Sequence, residues 1–491
     1  MGVDKYTLGV AFFASLGTFL YGYDTGIVTT TIAHPSWVAY MHNSNPALVG
    51  GVGAIYIGGE AVGALLQIAI ADRLGRLRFM QLLCVIVTAG CVIQTAAVDI
   101  GMLLAGRILT GIAVGSSLSA TVPVYLSEIS DPKHRGFIGG LSGVNLSCGI
   151  MVSNWVGFAC NYAPYGQLQW RLPLGLQIPW GIIMFIGLST FMPNSPRHLV
   201  QKGKMEEARK AFIQIRRDLQ SHEVQHEFAL MTSQIAFEQE RRSPSFMSAF
   251  KRYRHRVLVS ISVQILTAIT GVNVIQYYQT TLYKSLGIES KTILALTAVW
   301  GTCAFLSSAL SIPFLPDRMG RRKMLLVGVT WVVFTEIYAA VMQREFQDTN
   351  NRVGKGFAIL GIYVFTVGYY SLINPVTWLY GAEVLPVALR NKFMGVAAFA
   401  HYAVNVSITE AGPSAFKNIR ENYYYVFVAC CAAYFFIIYF YYPETKQKTL
   451  EEIAADFGDE VVEGEVRPDA LVEKVAVEVK VADVAHIEKR S

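Results

Sequence analysis

Ionisable residues inside apolar stretches are the first groups in this chain that could do chemistry. Asp24 and Arg107 each fall within a long apolar run, and Arg107 is the one basic residue well inside such a run. A charged side chain in hydrocarbon is costly unless it is paired. Desolvation favours the protonated acid while a neighbouring guanidinium favours the carboxylate, so an acid in that setting is poised to exchange a proton. Glu60, Glu336 and Glu410 are further acids in or near apolar runs. Glu60 lies in GGEAVG, whose small residues permit close helix packing, and is a second candidate for carrying a proton. Glu336 is expected to snorkel or to pack between helices. No nucleophile–base pair or His/Asp cluster lies at mid-run. The 7 cysteines lie in apolar stretches without ligand spacing, and their odd number argues against a disulfide framework. No enzyme activity, catalytic residue, metal or cofactor is expected.

These residues must be positioned by elements that suit lipid. Hydrophobic residues make up 53% of the 491 and charged residues only 15%, too few charges to cover a soluble protein of this length. Apolar runs recur at 8–30, 47–70, 79–98, 100–126, 137–160 and 173–192, then at 257–284, 291–314, 323–343, 354–380, 392–411 and 422–442. Each approaches the ~20 residues that a spanning helix needs, and none alternates with period two. The expected fold is an all-α membrane protein of about 12 transmembrane helices in two six-helix halves, 8–192 and 257–442. Between them, 193–256 forms a linker in which Ala208, Phe212, Ile215 and Leu219 recur at helical spacing, the mark of short amphipathic helices. The tail, 443–491, has no evident core beyond Asp459 and defaults to disorder, though 472–482 could form a strand or helix.

Basic residues set the orientation. Arg73, Arg76, Arg78, Lys133, Arg135, Arg318, Arg321, Arg322 and Lys323 all lie in alternate loops, while 31–46 contains no Lys or Arg. By the positive-inside rule these loops, the linker and both termini are cytoplasmic. The net charge of +6 thus reports topology, and no basic stripe interleaved with aromatics points to nucleic acid.

The halves repeat each other. ADRLGRLR (71–78) returns as PDRMGRRK (316–323), and YLSEISDPKHRG (125–136) returns as LYGAEVLPVALRNK (379–392). Together with GYDTG (22–26), GRILTG (106–111), PNSPR (193–197), GVNVIQYY (271–278), WLYGAEVLP (378–386) and PETKQKTLEE (443–452), these motifs carry a resemblance. Over 8–455 the chain resembles the sugar porter branch of the major facilitator superfamily, particularly its fungal-type members. The resemblance implies alternating access between two rocking halves. It also implies a plasma-membrane location, a monomeric unit in the bilayer, and a sugar or polyol-like solute moved with H+.

It pairs Asp24 with Arg107, so that a proton reaching Asp24 would release Arg107; a purely structural ion pair is the alternative. Substrate contacts would fall to Gln264 and Asn273 on the seventh helix, Trp378 on the tenth and Asn405 on the eleventh. Tyr277 and Tyr278 would line or gate the outer side, and His401 would bind substrate or simply pack. A cytoplasmic gate would use Asp72, Arg73, Arg76, Glu128, Arg135 and Arg197 in the first half. Its counterpart would use Asp317, Arg321, Arg322, Glu383, Arg390 and Glu444.

Several positions depart from the family pattern. Thr267 and Ala268 replace a Gln pair, Gly143 a Gln, and Ala304 or Phe305 an Asn. Asn194 stands for a gate Glu, and Gln447 for a Gly. Fewer amides imply a wider, less polar pocket. A facilitator without proton coupling, a carrier of another metabolite such as a cyclic hydroxy-acid, and a transporter-like nutrient sensor are the rival expectations.

Overall fold

The computed structural model describes residues 5–459 except 33, 42–45, 117–120, 132, 217–221, 241–244, 289, 348 and 387–388. Nine of the described helices are long and apolar enough to cross a membrane. The first, fourth and eleventh crossings complete the set of twelve, and each is shorter or more polar for a visible reason. The first is Lys5–Ala14 and Leu16–Thr31, interrupted at Ser15, whose hydroxyl turns back to the Ala11 carbonyl. The fourth is Ile100–Ser116 and Val122–Ile129, with 117–120 outside the described residues. The eleventh, Arg390–Asn418, carries His401, Glu410 and Lys417.

Small residues set the spacing within the first half. A Cβ on Gly22 would meet the Leu146 carbonyl at 1.9 Å and one on Gly149 the Phe19 carbonyl at 2.1 Å, so the first and fifth spans touch backbone to backbone. The halves meet where the second span packs on the eleventh, with Ile68 against Gly395, and where Asn154 of the fifth donates to the Thr297 carbonyl of the eighth at 3.2 Å.

Two spans of the second half are broken where they face the centre. Arg254–Ile269 and Val272–Ser285 form the seventh, separated at Gly271, whose φ of 74° suits glycine. The tenth, Arg352–Gly368 and Asn374–Glu383, widens into a π-turn at Tyr369–Ile373 just before Pro375. Proline cannot donate a backbone hydrogen bond, and a wider turn absorbs the loss.

The linker contributes Pro196–Gln201, Met205–Arg216, His222–Glu240 and Phe246–Arg252. Met205–Arg216 buries Ala208, Ala211, Phe212 and Ile215. Ala208, Ala211 and Phe212 pack with Leu199, Met231 and Ile235 and with Leu450 and Ile453 of the tail helix Leu450–Asp456, while Ile215 joins the core of the membrane domain. Leu219 and the segment 472–482 lie outside the described residues. We call the side bearing these helices the linker face.

Candidate functional site

Asp24 and Arg107 meet. Arg107 Nη1 donates to Asp24 Oδ1 at 2.8 Å, and each side chain is only 1% exposed. The guanidinium lies 3.9 Å from the centroid of the Tyr56 ring, so the second span holds it from one side. Arg107 Nε and Nη2 and Asp24 Oδ2 have no hydrogen-bond partner among the described residues. Removing one member of a buried pair strands the other charge, at a cost of ~3–5 kcal/mol. Neither member can therefore be lost cheaply, yet the pair leaves donors unused.

Near this pair, a cavity of about 40 Å³ opens between the halves, lined from the first half by Tyr21, Thr25, Leu146 and Ile150. The second half supplies Thr267, Asn273, Gln276, Tyr369, Tyr370, Asn374, Trp378 and His401. That volume admits a water and excludes a hexose, so these walls must part to receive one. Asn273, Trp378 and His401 therefore sit together at the centre, with the Trp378 and His401 rings 5.5 Å apart.

The other candidate binding residues point elsewhere. Gln264 donates to the Thr377 carbonyl at 3.2 Å in the contact between the seventh and tenth spans, where Gly381 makes room for it. Tyr278 donates to the Thr409 carbonyl at 2.9 Å and packs on Phe416. Asn405 accepts from Thr409 at 3.1 Å. Tyr277 packs against a core to which both halves contribute, on the side of Glu60 and Arg107.

Gln276 and Asn374 were missed among the lining amides. Gln276 stands inside the quoted GVNVIQYY motif and could have been found there. Asn374 could not, because its value depends on the opposite half. Its amide nitrogen lies 2.9 Å from where a Gly143 Cβ would be and donates to the Gly143 carbonyl at 3.2 Å. The tenth span thus returns an amide to the space that the fifth leaves empty. Glu336 does not snorkel. It is 1% exposed, and its carboxylate reaches the break at Gly271, 2.9 Å from where a Cβ would stand.

On the linker face the charges form two parallel networks. Arg76 donates to Glu128 at 2.8 and 3.2 Å and to His198 Nδ1 at 2.7 Å, and Glu128 also accepts from the Ser195 hydroxyl. Burial, with Arg76 beside it, pushes the His198 imidazole down to about 4 although Glu128 pulls the other way, so the ring is neutral and can accept. Arg321 donates to Glu383 at 3.2 Å, and Glu383 accepts from Thr445 at 2.8 Å. Glu444 accepts from the backbone N–H groups of Arg321 and Arg322 at 2.8 and 3.2 Å.

Contacts between the halves use different atoms. Asp317 accepts from the Gly136 and Phe137 N–H groups at 3.0 and 2.9 Å, capping the fifth span across the interface. Asn391 donates to Asp72 at 3.1 Å, and Arg390 approaches the Ser127 hydroxyl at 3.5 Å. Arg135 donates to the Lys448 carbonyl at 3.0 Å, and Arg197 is buried. Two candidates fall outside this closure. Arg73 is exposed, and Arg322 turns to the Tyr439 carbonyl within its own half.

Comparisons with known proteins agree with this geometry. The family described as "Sugar (and other) transporter" matches residues 10–457. The chain is 32% identical over 389 residues to the MFS-type transporter criB of Aspergillus cristatus, covering 78% of this chain and 82% of that one. It is 31% identical over 465 residues to hexose transporter HXT8 of Saccharomyces cerevisiae, covering 89% and 80%. It is 28% identical over 466 residues to a high-affinity glucose transporter of Kluyveromyces lactis, covering 90% and 84%. Among solved structures, the proton:xylose symporter XylE bound to 6-bromo-6-deoxy-D-glucose superposes with a TM-score of 0.81 at 20% identity, covering 92% of this chain and 98% of that one.

Proposed function

We propose that this chain, which belongs to the sugar (and other) transporter family of the major facilitator superfamily, imports a sugar or related polyhydroxylated solute together with a proton. It is a multi-pass membrane transporter and not an enzyme. In our reading the linker face is cytoplasmic, because the Lys- and Arg-rich loops lie there, and the plasma membrane is the site of action. One copy contains the whole pathway, which fits a working monomer.

The buried Asp24–Arg107 bond carries this proposal, because it lies on the same first-span stretch as the cavity residues Tyr21 and Thr25. A proton on Asp24 turns a charge-assisted bond into an ordinary one, roughly halving its strength. The first and fourth spans are then freed to shift, and the walls around the solute can part. Asn273, Gln276 and Asn374 would meet solute hydroxyls, and Trp378 would offer a face to its C–H surface. An amide left unpaired there costs ~1–3 kcal/mol, which selects for a solute that fills it. On the cytoplasmic side, the contacts of Asp317, Asn391 and Arg390 would close the exit until the solute is enclosed.

The test is uptake of a panel of labelled pentoses, hexoses, polyols and cyclic hydroxy-acids by proteoliposomes, with and without an inward proton gradient. Asp24→Asn should abolish gradient-driven accumulation while sparing solute exchange. Undiminished uphill uptake by that variant would refute coupling through Asp24. Leu146 and Ile150 make part of the cavity wall apolar, which fits a solute with fewer hydroxyls than a hexose; cyclic hydroxy-acids stay in the panel as the second substrate class.

A further inference from the structure

Glu60 takes part in none of the contacts described so far. It is fully buried, and neither carboxylate oxygen has a hydrogen-bond partner among the described residues. Its depth is set by the second span packing on the fourth. A Cβ on Gly111 would meet the Tyr56 carbonyl at 2.4 Å, and one on Gly115 would meet the Glu60 Cα at 2.3 Å. Gly111 and Gly115 lie one and two turns past Arg107, toward the linker face. Along the fourth span the order is therefore Asp24 with Arg107, then Tyr56, then Glu60, over ~12 Å of helix. Among the described residues Asp24 and Arg107 are the charged groups near Glu60, Tyr56 of its own span lies beside its carboxylate, and Tyr21 of the first span and Tyr277 of the seventh are near it as well. Tyr402 of the eleventh packs on the same stretch of the fourth span, donating to the Gly115 carbonyl at 3.4 Å.

Charge decides how this cluster is populated. One guanidinium cannot neutralise two carboxylates, and an excess negative charge in a dry site is expensive. Asp24 already holds Arg107, so the spare proton resides on Glu60. Arg107 meanwhile keeps Nε and Nη2 unused, and the cluster is half satisfied.

We propose that Glu60 is a second proton-carrying site that alternates with Asp24 as the counter-ion of Arg107 and hands the transported proton to the cytoplasmic side. This rests on Asp24 being the coupling acid. A proton reaching Asp24 frees Arg107, whose unused N–H groups then favour the Glu60 carboxylate, and Glu60 releases its proton inward. Asp24 later passes its own proton to Glu60 and takes Arg107 back. One proton enters, one leaves, and the cluster returns to its starting charge.

The test uses the full chain in lipid nanodiscs and needs no solute: infrared titration of the protonated-carboxyl C=O stretch. Glu60→Gln should remove a neutral-acid band present at neutral pH, and Glu60→Asp, a control for folding, should retain one. Asp24→Asn imitates the protonated acid and leaves Glu60 as the counter-ion of Arg107. It should shift loss of the band to lower pH. A band that survives Glu60→Gln, or whose titration ignores Asp24→Asn, overturns the proposal. Uphill uptake that survives Asp24→Asn would sink the coupling role of Asp24 by itself, because the infrared titration follows the exchange of counter-ion without any transport.

Discussion

In the first half Arg76 binds Glu128, and Glu128 takes a hydroxyl from Ser195; in the second, Arg321 binds Glu383, and Glu383 takes a hydroxyl from Thr445. Each arginine follows a glycine with positive φ, Gly75 at 85° and Gly320 at 92°. The group beneath that glycine differs. A Cβ on Gly75 would meet His198 Nε2 at 2.6 Å, whereas one on Gly320 would meet Glu444 Oε2 at 2.5 Å. A neutral ring thus occupies in one half the place that a carboxylate occupies in the other.

The consequence is an asymmetric closure. With Glu444 capping the start of the ninth span, the second half can direct Asp317 across the interface onto two N–H groups of the fifth. Across the interface the matching Asp72 accepts from the side-chain amide of Asn391. The repeat therefore preserves the frame of the gate while placing an extra acid, Glu444, in the second half and the carboxylate cap across the interface on Asp317.

The largest effect should come from breaking the acid-rich half. Arg321→Ala strands Glu383 and leaves Asp317 without its cation, so it should cost ~3–5 kcal/mol. Arg76→Ala strands one deeply buried carboxylate, Glu128, because Asp72 is 4.0 Å away and 31% exposed. Thermal melting of the two purified variants should place Arg321→Ala clearly lower, and equal losses would mean that the halves are equivalent. Next in size is the cap across the interface. Asp317→Asn should open the linker face by ~1 kcal/mol, the usual worth of a carboxylate at a helix start. Asp72→Asn should do less, since an amide–amide bond can replace its contact. Labelling of a cysteine introduced on the inner surface near Gly139 reports both, and a larger rise for Asp72→Asn would reverse the asymmetry.

Much of this frame is legible in the residue order. The apolar runs mark the crossings, and the family resemblance pairs Arg107 with Asp24 among the four acids in or near those runs. What escaped depends on angles and on contacts distant in sequence. Gln264 and Asn273 look like one binding pair, yet nine residues at 3.6 per turn place them on roughly opposite faces, and a break at Gly271 lies between them. Gly143 reads as a lost amide until Asn374, from the other half, fills its space. For Glu336 the sequence leaves snorkelling and helix packing open, because nothing local says that a helix break lies beside it. His198 follows the quoted PNSPR motif directly, but its meaning appears only beside Glu444 in the second network.

His198 also gives the finest test of that difference. Its value in the fold, about 4, lies below the ordinary 6.5, so the fold disfavours the imidazolium. Between those pH values the unfolded chain binds a proton that the folded chain refuses. Stability is therefore full above about 6.5 and declines as pH falls toward 4. Physically, an imidazolium beside Arg76 would lose its role as acceptor and add a like charge. His198→Gln keeps an acceptor for Arg76 but cannot titrate. It should cost ~1 kcal/mol near neutral pH, the worth of one imperfect hydrogen bond, and should flatten the dependence of melting temperature on pH across that window. A variant that melts with the wild-type slope would show that the acid sensitivity of the first half arises elsewhere.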